Sequence, residues 1–167
     1  MMDYTKYVVG GKNRADLALL YRDAHAFDSA VKAMTEPFRS TGITHVAVLD
    51  ALGFVFGTAI ARELGVGLTL VRKGGKLPVD FESTTFVDYS GDTKTFEIAK
   101  EAIHQGDNLL IVDEWSSTGA QLKASISLIE NMGAHVVGAA CFSMNAKVKA
   151  DPFFAKYKLH SLLISER

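Results

Sequence analysis

The chain is nearly without cysteine and has no excess of charge of either sign. One thiol, Cys141, in 167 residues excludes an internal disulfide and the clustered thiols of a zinc site, and a reducing cytoplasm is the expected compartment. Eighteen Lys and Arg stand against nineteen Asp and Glu, a net charge of -1. No global field therefore recruits nucleic acid or an anionic membrane, and a small molecule is the expected partner. No uninterrupted apolar run approaches the roughly 20 residues of a membrane span, and Met1-Met2-Asp3-Tyr4-Thr5-Lys6 has no apolar signal stretch. Glycine-lysine-serine and glycine-lysine-threonine are missing, which excludes a Walker-type phosphate loop; Gly65-Val66-Gly67 follows a predicted helix instead of preceding one. His25, His45, His104, His135 and His160 show no metal-ligand spacing and are assigned no catalytic role. Repeats, low-complexity tracts and dividing linkers are absent too.

What is present is enough apolar material, 48% of residues, for one core, so residues 1–167 are expected to form one domain. Aliphatic and β-branched runs at 45–50, 68–72, 109–113, 135–142 and 159–164 predict strands. Helical spacing at 54–64, 95–104 and 121–132 predicts helices between them, with Gly65, Gly106 and Gly133 as stop signals. Alternating strands and helices predict an α/β fold, a mostly parallel sheet covered on both faces. Residues 1–40 read as a helical layer, with Leu17, Leu19, Leu20, Phe27, Val31 and Met34 as its apolar face, over a sheet core at 41–167. The stretch from 72 to 92 is the one long excursion, and long connections in compact domains are more often functional loops.

Ligands of open parallel sheets sit beyond the carboxyl ends of the strands. Three such ends carry suggestive loops: Asp50-Ala51-Leu52-Gly53, Arg72-Lys73-Gly74-Gly75-Lys76, and Asp113-Glu114-Trp115-Ser116-Ser117-Thr118-Gly119. In the third, a helix N-terminus with small residues lets a phosphate approach the backbone donors, and the hydroxyls of Ser117 and Thr118 add to them. Asp113 and Glu114, acceptors when ionised, suit ribose hydroxyls, directly or through a metal. The bland alternative stays open: Asp113 ends a strand and Ser116 or Ser117 caps the next helix, with no ligand at all.

Leu109-Leu110-Ile111-Val112-Asp113-Glu114-Trp115-Ser116-Ser117-Thr118-Gly119 resembles the phosphoribosyl pyrophosphate signature of type I phosphoribosyltransferases. Leu49-Asp50-Ala51-Leu52-Gly53-Phe54-Val55-Phe56-Gly57, Glu63-Leu64-Gly65-Val66-Gly67 and Val71-Arg72-Lys73-Gly74-Gly75-Lys76-Leu77-Pro78 are similar, in wording and order, to the adenine branch of that family. The resemblance implies a type I phosphoribosyltransferase-like sheet with a small N-terminal hood. It also implies transfer of phosphoribose from phosphoribosyl pyrophosphate to a purine base, magnesium-assisted, in a cytoplasmic homodimer. Residue by residue, it puts Asp113 and Glu114 on the ribose hydroxyls, with Asp113 the candidate contact to magnesium. Ser116, Ser117, Thr118, Gly119, Ala120 and Gln121 surround the 5-phosphate. Asp50, Ala51, Leu52 and Gly53 form the pyrophosphate loop, and Arg72, Lys73 and Lys76 supply its cations, needed where a departing polyanion gathers charge. A mobile catalytic loop is implied at 81–92, with Asp88 as acid/base or charge stabiliser and Tyr89 beside it; a plain hairpin Asp is the alternative.

The chain departs from the family pattern in places. Leu52 stands where an Arg is usual, Glu114 where a second Asp is usual, and Ala120-Gln121 where Gly-Thr is usual. The adenine hood is echoed only by Tyr21-Arg22-Asp23-Ala24-His25-Ala26-Phe27, in which Phe27 is the candidate to cover a purine. Ser143 occupies the place of an acidic residue, with Phe142 and Met144 beside it. A non-catalytic phosphoribosyl pyrophosphate or nucleotide sensor on the same fold is the alternative these departures leave.

Overall fold

The structure is a computed structural model that describes residues 2–10 and 15–166; residues 1, 11–14 and 167 of the predicted single domain lie outside the described residues. After a 3-10 turn, Thr5–Tyr7, the elements are β1 (Val9–Gly10), β2 (Ala15–Asp16), α1 (Ala18–Arg22), α2 (Ala24–Thr35), β3 (His45–Leu49), α3 (Gly53–Leu64) and β4 (Gly67–Lys73). There follow β5 (Phe81–Val87), β6 (Thr93–Ala99), β7 (Asn108–Ser116), α4 (Ala120–Asn131), β8 (His135–Asn145), α5 (Ala146–Ala150) and β9 (Lys158–Ser165).

Seven strands form one sheet in the order β5-β6-β4-β3-β7-β8-β9. From β4 to β9 all neighbours are parallel, whereas β6 joins β4 antiparallel and β5 joins β6 antiparallel. The central parallel strands β3, β7 and β8 are buried on both faces, which is why they read as continuous apolar runs. Along β3 the faces alternate: Val46 and Val48 join the cluster under α1, α2 and α3, and Ala47 and Leu49 join the cluster under α4. The chain passes from β3 to β4 through α3 in one direction and from β7 to β8 through α4 in the other. The strand order therefore reverses between β3 and β7, and the crevice at their carboxyl ends is where such sheets take ligands.

Five expectations are corrected. The helix expected at 95–104 is β6 followed by a 3-10 turn, Lys100–Ala102. Phe96, Ile98, Ala99 and Ile103 satisfy helical spacing, but Lys94, Phe96 and Ile98 also alternate, and pairing with β5 from Phe81↔Ala99 to Val87↔Thr93 decides for strand. The same pairing shortens the expected loop at 81–92 to a hairpin tip, and Gly106 turns the chain at φ 87° without ending an α-helix. Leu19 is 49% exposed and lies outside the apolar face of the N-terminal layer. That layer is also more than helical, because β1 and β2 form a small antiparallel ribbon.

The layer is seated by Leu17, Leu20, Val31 and Met34, all buried. Asp23 caps α2, accepting the Ala26 N–H at 3.0 Å and the Tyr7 hydroxyl at 2.8 Å. Aromatic rings continue the contact into the core: Tyr21 meets Phe27 at 5.9 Å and Phe56 at 5.7 Å, and Phe56 stacks on Phe142 at 5.6 Å.

Candidate functional site

At the end of β3, Asp50 is almost fully buried, 7% exposed, and the Asp50–Ala51 peptide is cis. Leu52 then stands 49% exposed before α3 opens at Gly53. A Cβ at Gly53 would lie 2.9 Å from the Val112 carbonyl oxygen and 3.2 Å from Asp113 Oδ1. Only glycine lets this loop lie against the end of β7, so the first and third loops meet in the crevice of the reversal.

The basic segment converges on the same place. Asp50 Oδ2 accepts from Arg72 Nε at 3.2 Å, from Lys76 Nζ at 3.4 Å and from the Lys73 N–H at 3.5 Å. Burial opposes ionisation of Asp50, but the hydrogen bonds from Arg72, Lys73 and Lys76 outweigh it and hold its carboxyl below the ordinary range. The turn itself is held from β6. Glu97, only 5% exposed, accepts the Gly75 N–H at 2.8 Å through Oε1 and the Lys76 N–H at 3.4 Å through Oε2. The Arg72 guanidinium also lies 5.9 Å from the Phe54 ring centroid.

The acidic pair lies inside β7, which runs on to Ser116 instead of stopping at 113 as expected. Strand alternation then turns Asp113 and Glu114 to opposite faces. Glu114 follows Val112 towards the N-terminal layer, where Oε1 accepts the Tyr21 hydroxyl at 2.8 Å. Asp113 follows Ile111 towards the α4 face and bends back, accepting the Glu114 N–H at 2.8 Å through Oδ1. Desolvation pushes the Asp113 carboxyl up to about 7; the Glu114 N–H opposes the rise, the Glu114 charge adds to it and Lys73 offsets part. Glu114 is raised as well by desolvation, against the lowering effect of Tyr21.

Ser116 is buried at the end of β7, and beyond it Ser117 is half-buried and Thr118 is exposed. Gly119 takes φ 77° immediately before α4, and a Cβ there would meet the Phe154 ring at 3.1 Å and Val148 at 3.3 Å. Thr118 Oγ1 accepts the Ala120 N–H at 3.3 Å. The helix thus opens on small residues, Gly119 and Ala120, followed by Gln121, with N–H groups directed out of its first turn.

The remaining expected residues lie elsewhere. Asp88 and Tyr89 are at the tip between β5 and β6. Asp88 Oδ1 accepts the Ser90 hydroxyl at 2.6 Å and the N–H groups of Ser90 and Asp92 at 2.9 and 3.2 Å. These bonds, the Ser90 hydroxyl foremost, lower its carboxyl. Phe27 lies in the aromatic cluster, 5.4 Å from Phe56. Ser143 and Met144 are buried in β8 opposite Trp115 and Ser116. Two residues without an assigned role join the site: Glu97, hidden inside a misread helix, and Tyr21, whose segment was legible only as a hood echo.

The family model described as "Phosphoribosyl transferase domain" matches residues 21–162. The chain is 38% identical over 125 residues to adenine phosphoribosyltransferase of Aliivibrio fischeri, covering 75% of this chain and 68% of that protein. It is 39% identical over 126 residues to the Pectobacterium atrosepticum protein of the same name, covering 75% and 67%. Among solved structures, adenine phosphoribosyltransferase of Rhodothermus marinus superposes with a TM-score of 0.87 at 29% identity, over 96% of this chain and 95% of that one. The Giardia lamblia enzyme complexed with 9-deazaadenine superposes with a TM-score of 0.84 at 28% identity, over 93% and 90%.

Proposed function

The chain belongs to the phosphoribosyltransferase family, and from that premise we propose that it moves the 5-phosphoribosyl group of phosphoribosyl pyrophosphate to a purine, adenine first, releasing pyrophosphate in purine salvage. The observation that carries this reading is the convergence on one crevice of a cation-bearing turn at Asp50 and an acidic pair at the end of β7, joined through Gly53. The named relatives favour the transferase over the sensor alternative.

On this reading Arg72, Lys73 and Lys76 face the pyrophosphate, and its oxygens compete with Asp50 Oδ2 for their donors. Asp50, Ala51, Leu52 and Gly53 bring the loop backbone alongside, Leu52 without charge of its own. The hydroxyls of Ser116, Ser117 and Thr118 and the backbone of Gly119, Ala120 and Gln121 take the 5-phosphate. Asp113 and Glu114, one from each face of β7, take the ribose hydroxyls. As pyrophosphate departs, positive charge develops on the sugar ring, and fixed carboxylates nearby favour that state. Phe27 supplies a ring for the base, beside Tyr21. Asp88 serves as proton acceptor or charge stabiliser once the hairpin tip with Tyr89 closes and excludes water, which requires it to leave the donors of Ser90 and Asp92.

Hard carboxylate oxygens suit magnesium, and among the described residues no three His, Cys, Asp or Glu side chains gather as a cage. Asp113 would then be the protein contact, with substrate oxygens and water completing the shell. Bound there, the ion would offset charge on the pyrophosphate.

Residues 1–167 are read as one catalytic domain, with the layer at 1–40 as hood over the core at 41–167. A homodimer is supported by apolar surface on the α3 side of the sheet: Val55 on α3, and Leu68 and Leu70, which share a face of β4, are all exposed. Among the described residues no helix is long and apolar enough to cross a membrane, and the lone buried thiol of Cys141 suits a reducing cytoplasm. Incubation with phosphoribosyl pyrophosphate, magnesium and adenine, hypoxanthine or guanine tests the acceptor: adenosine monophosphate is expected, and a product from another base only would replace adenine.

A further inference from the structure

Glu114 is a long carboxylate held in a confined place. It is 8% exposed, on the face of β7 covered by the N-terminal layer, and a glutamate side chain loses more than about 1 kcal/mol of rotamer freedom when ordered. Its ordering comes from a residue 93 positions earlier in the chain: the Tyr21 hydroxyl donates to Oε1 at 2.8 Å. Tyr21 is itself fixed between rings, 5.9 Å from Phe27 and 5.7 Å from Phe56, the second of which stacks on Phe142 in β8. The phenol is thus aimed by packing, and 2.8 Å is a well-formed O–H···O hydrogen bond. With one carboxylate oxygen committed to Tyr21, the other is the one a sugar hydroxyl would use.

We infer that Tyr21 is the positioning residue for Glu114, so that the N-terminal layer sets the geometry of the ribose end of the site as well as covering the base. This rests on the reading of Glu114 as a ribose ligand. Tyr21 does not touch the sugar; it acts through the carboxylate, and it makes the seating of α1 a condition of tight phosphoribosyl pyrophosphate binding. Tyr21→Phe keeps the ring and its packing on Phe27 and Phe56 while removing the donor.

The experiment is a double-mutant cycle of Tyr21→Phe, Glu114→Ala and the pair, read as calorimetric binding of phosphoribosyl pyrophosphate with magnesium and as steady-state kinetics, with thermal unfolding as the check of fold. Loss of one charge-assisted bond predicts about tenfold weaker binding and a matching rise in KM for phosphoribosyl pyrophosphate, with kcat changed far less. In the Glu114→Ala background the same Tyr21 change should have less than about a twofold effect. An unchanged KM in Tyr21→Phe, or the same factor in both backgrounds, overturns the inference, because a merely structural role would be independent of Glu114. Should Tyr21→Phe unfold, Tyr21→Leu removes the donor while leaving an apolar side chain against Phe27 and Phe56, with the same order of weakening expected and wild-type binding contradicting it. A wild-type chain that binds the sugar phosphate but turns over no base would sink the transferase reading while the binding cycle still decides the role of Tyr21; a chain that does not bind it overturns both.

Discussion

Asp50 Oδ2 and Arg72 Nε lie 3.2 Å apart at the adjoining ends of β3 and β4, a pairing that Lys76 Nζ joins at 3.4 Å. Because the pairing holds the Asp50 carboxyl below its ordinary value near 3.8, the group contributes stability above that value and loses it as pH falls through the lower folded value. Asp50→Asn should cost about 1–3 kcal/mol at pH 7. Urea unfolding of both proteins should show the gap closing below about pH 3–4; a gap independent of pH would place the effect in packing instead.

Asp113 has the opposite sign. Its folded carboxyl is pushed up to about 7 from 3.8, so the protonated form favours the ligand-free fold below pH 4, and that stability is lost as pH rises through 7. Asp113→Asn should therefore be more stable than the wild type at pH 8, by at most about 4 kcal/mol, with the advantage vanishing near pH 4. Thermal unfolding across pH 4 to 8 without ligand measures this, and a less stable variant at pH 8 would contradict the buried-carboxylate account.

Leu52, exposed before the first turn of α3, leaves space for a longer side chain without burying its charge. Leu52→Arg should tighten pyrophosphate binding about tenfold at low salt, with a steeper salt dependence than the wild type, since a cation is added beside Arg72, Lys73 and Lys76. Pyrophosphate inhibition constants at two ionic strengths check it.

Gly53 permits the contact between the first and third loops. Gly53→Ala places a methyl 2.9 Å from the Val112 carbonyl oxygen, and a backbone atom cannot swing aside. A loss of about 1–3 kcal/mol is expected, together with weaker binding of phosphoribosyl pyrophosphate. Wild-type values for both in denaturation and calorimetry would show that the loops are not coupled there.

Glu97 fixes the backbone of the basic turn and touches no expected ligand. Glu97→Ala should raise KM for phosphoribosyl pyrophosphate about tenfold or more, and Glu97→Gln, which keeps one acceptor oxygen, less. Equal defects in both variants would mean that charge, not hydrogen bonding, is what the turn needs.

The central parallel strands were legible because burial on both faces leaves unbroken apolar runs, as in 45–49 and 109–112, and the three loops at the strand ends announced themselves by charge and glycine. The antiparallel edge was not, since Phe96, Ile98 and Ile103 satisfy two periodicities and only pairing with β5 chooses between them. That misreading hid Glu97, whose role depends on lying opposite Arg72 in the register of β4 and β6. Tyr21 was hidden for a different reason: its bond to Glu114 joins two elements 93 residues apart, and no local pattern carries it. The opposed orientation of Asp113 and Glu114 was likewise obscured by ending the strand at 113, since alternation speaks only where the strand continues.

The most direct test of the account is magnesium-dependent pyrophosphate release from phosphoribosyl pyrophosphate, with and without adenine, in the wild type and in Asp113→Asn. The account predicts adenine-dependent release that falls by at least about a hundredfold in the variant. Binding of the sugar phosphate without release for any base, or full release by Asp113→Asn, would contradict it.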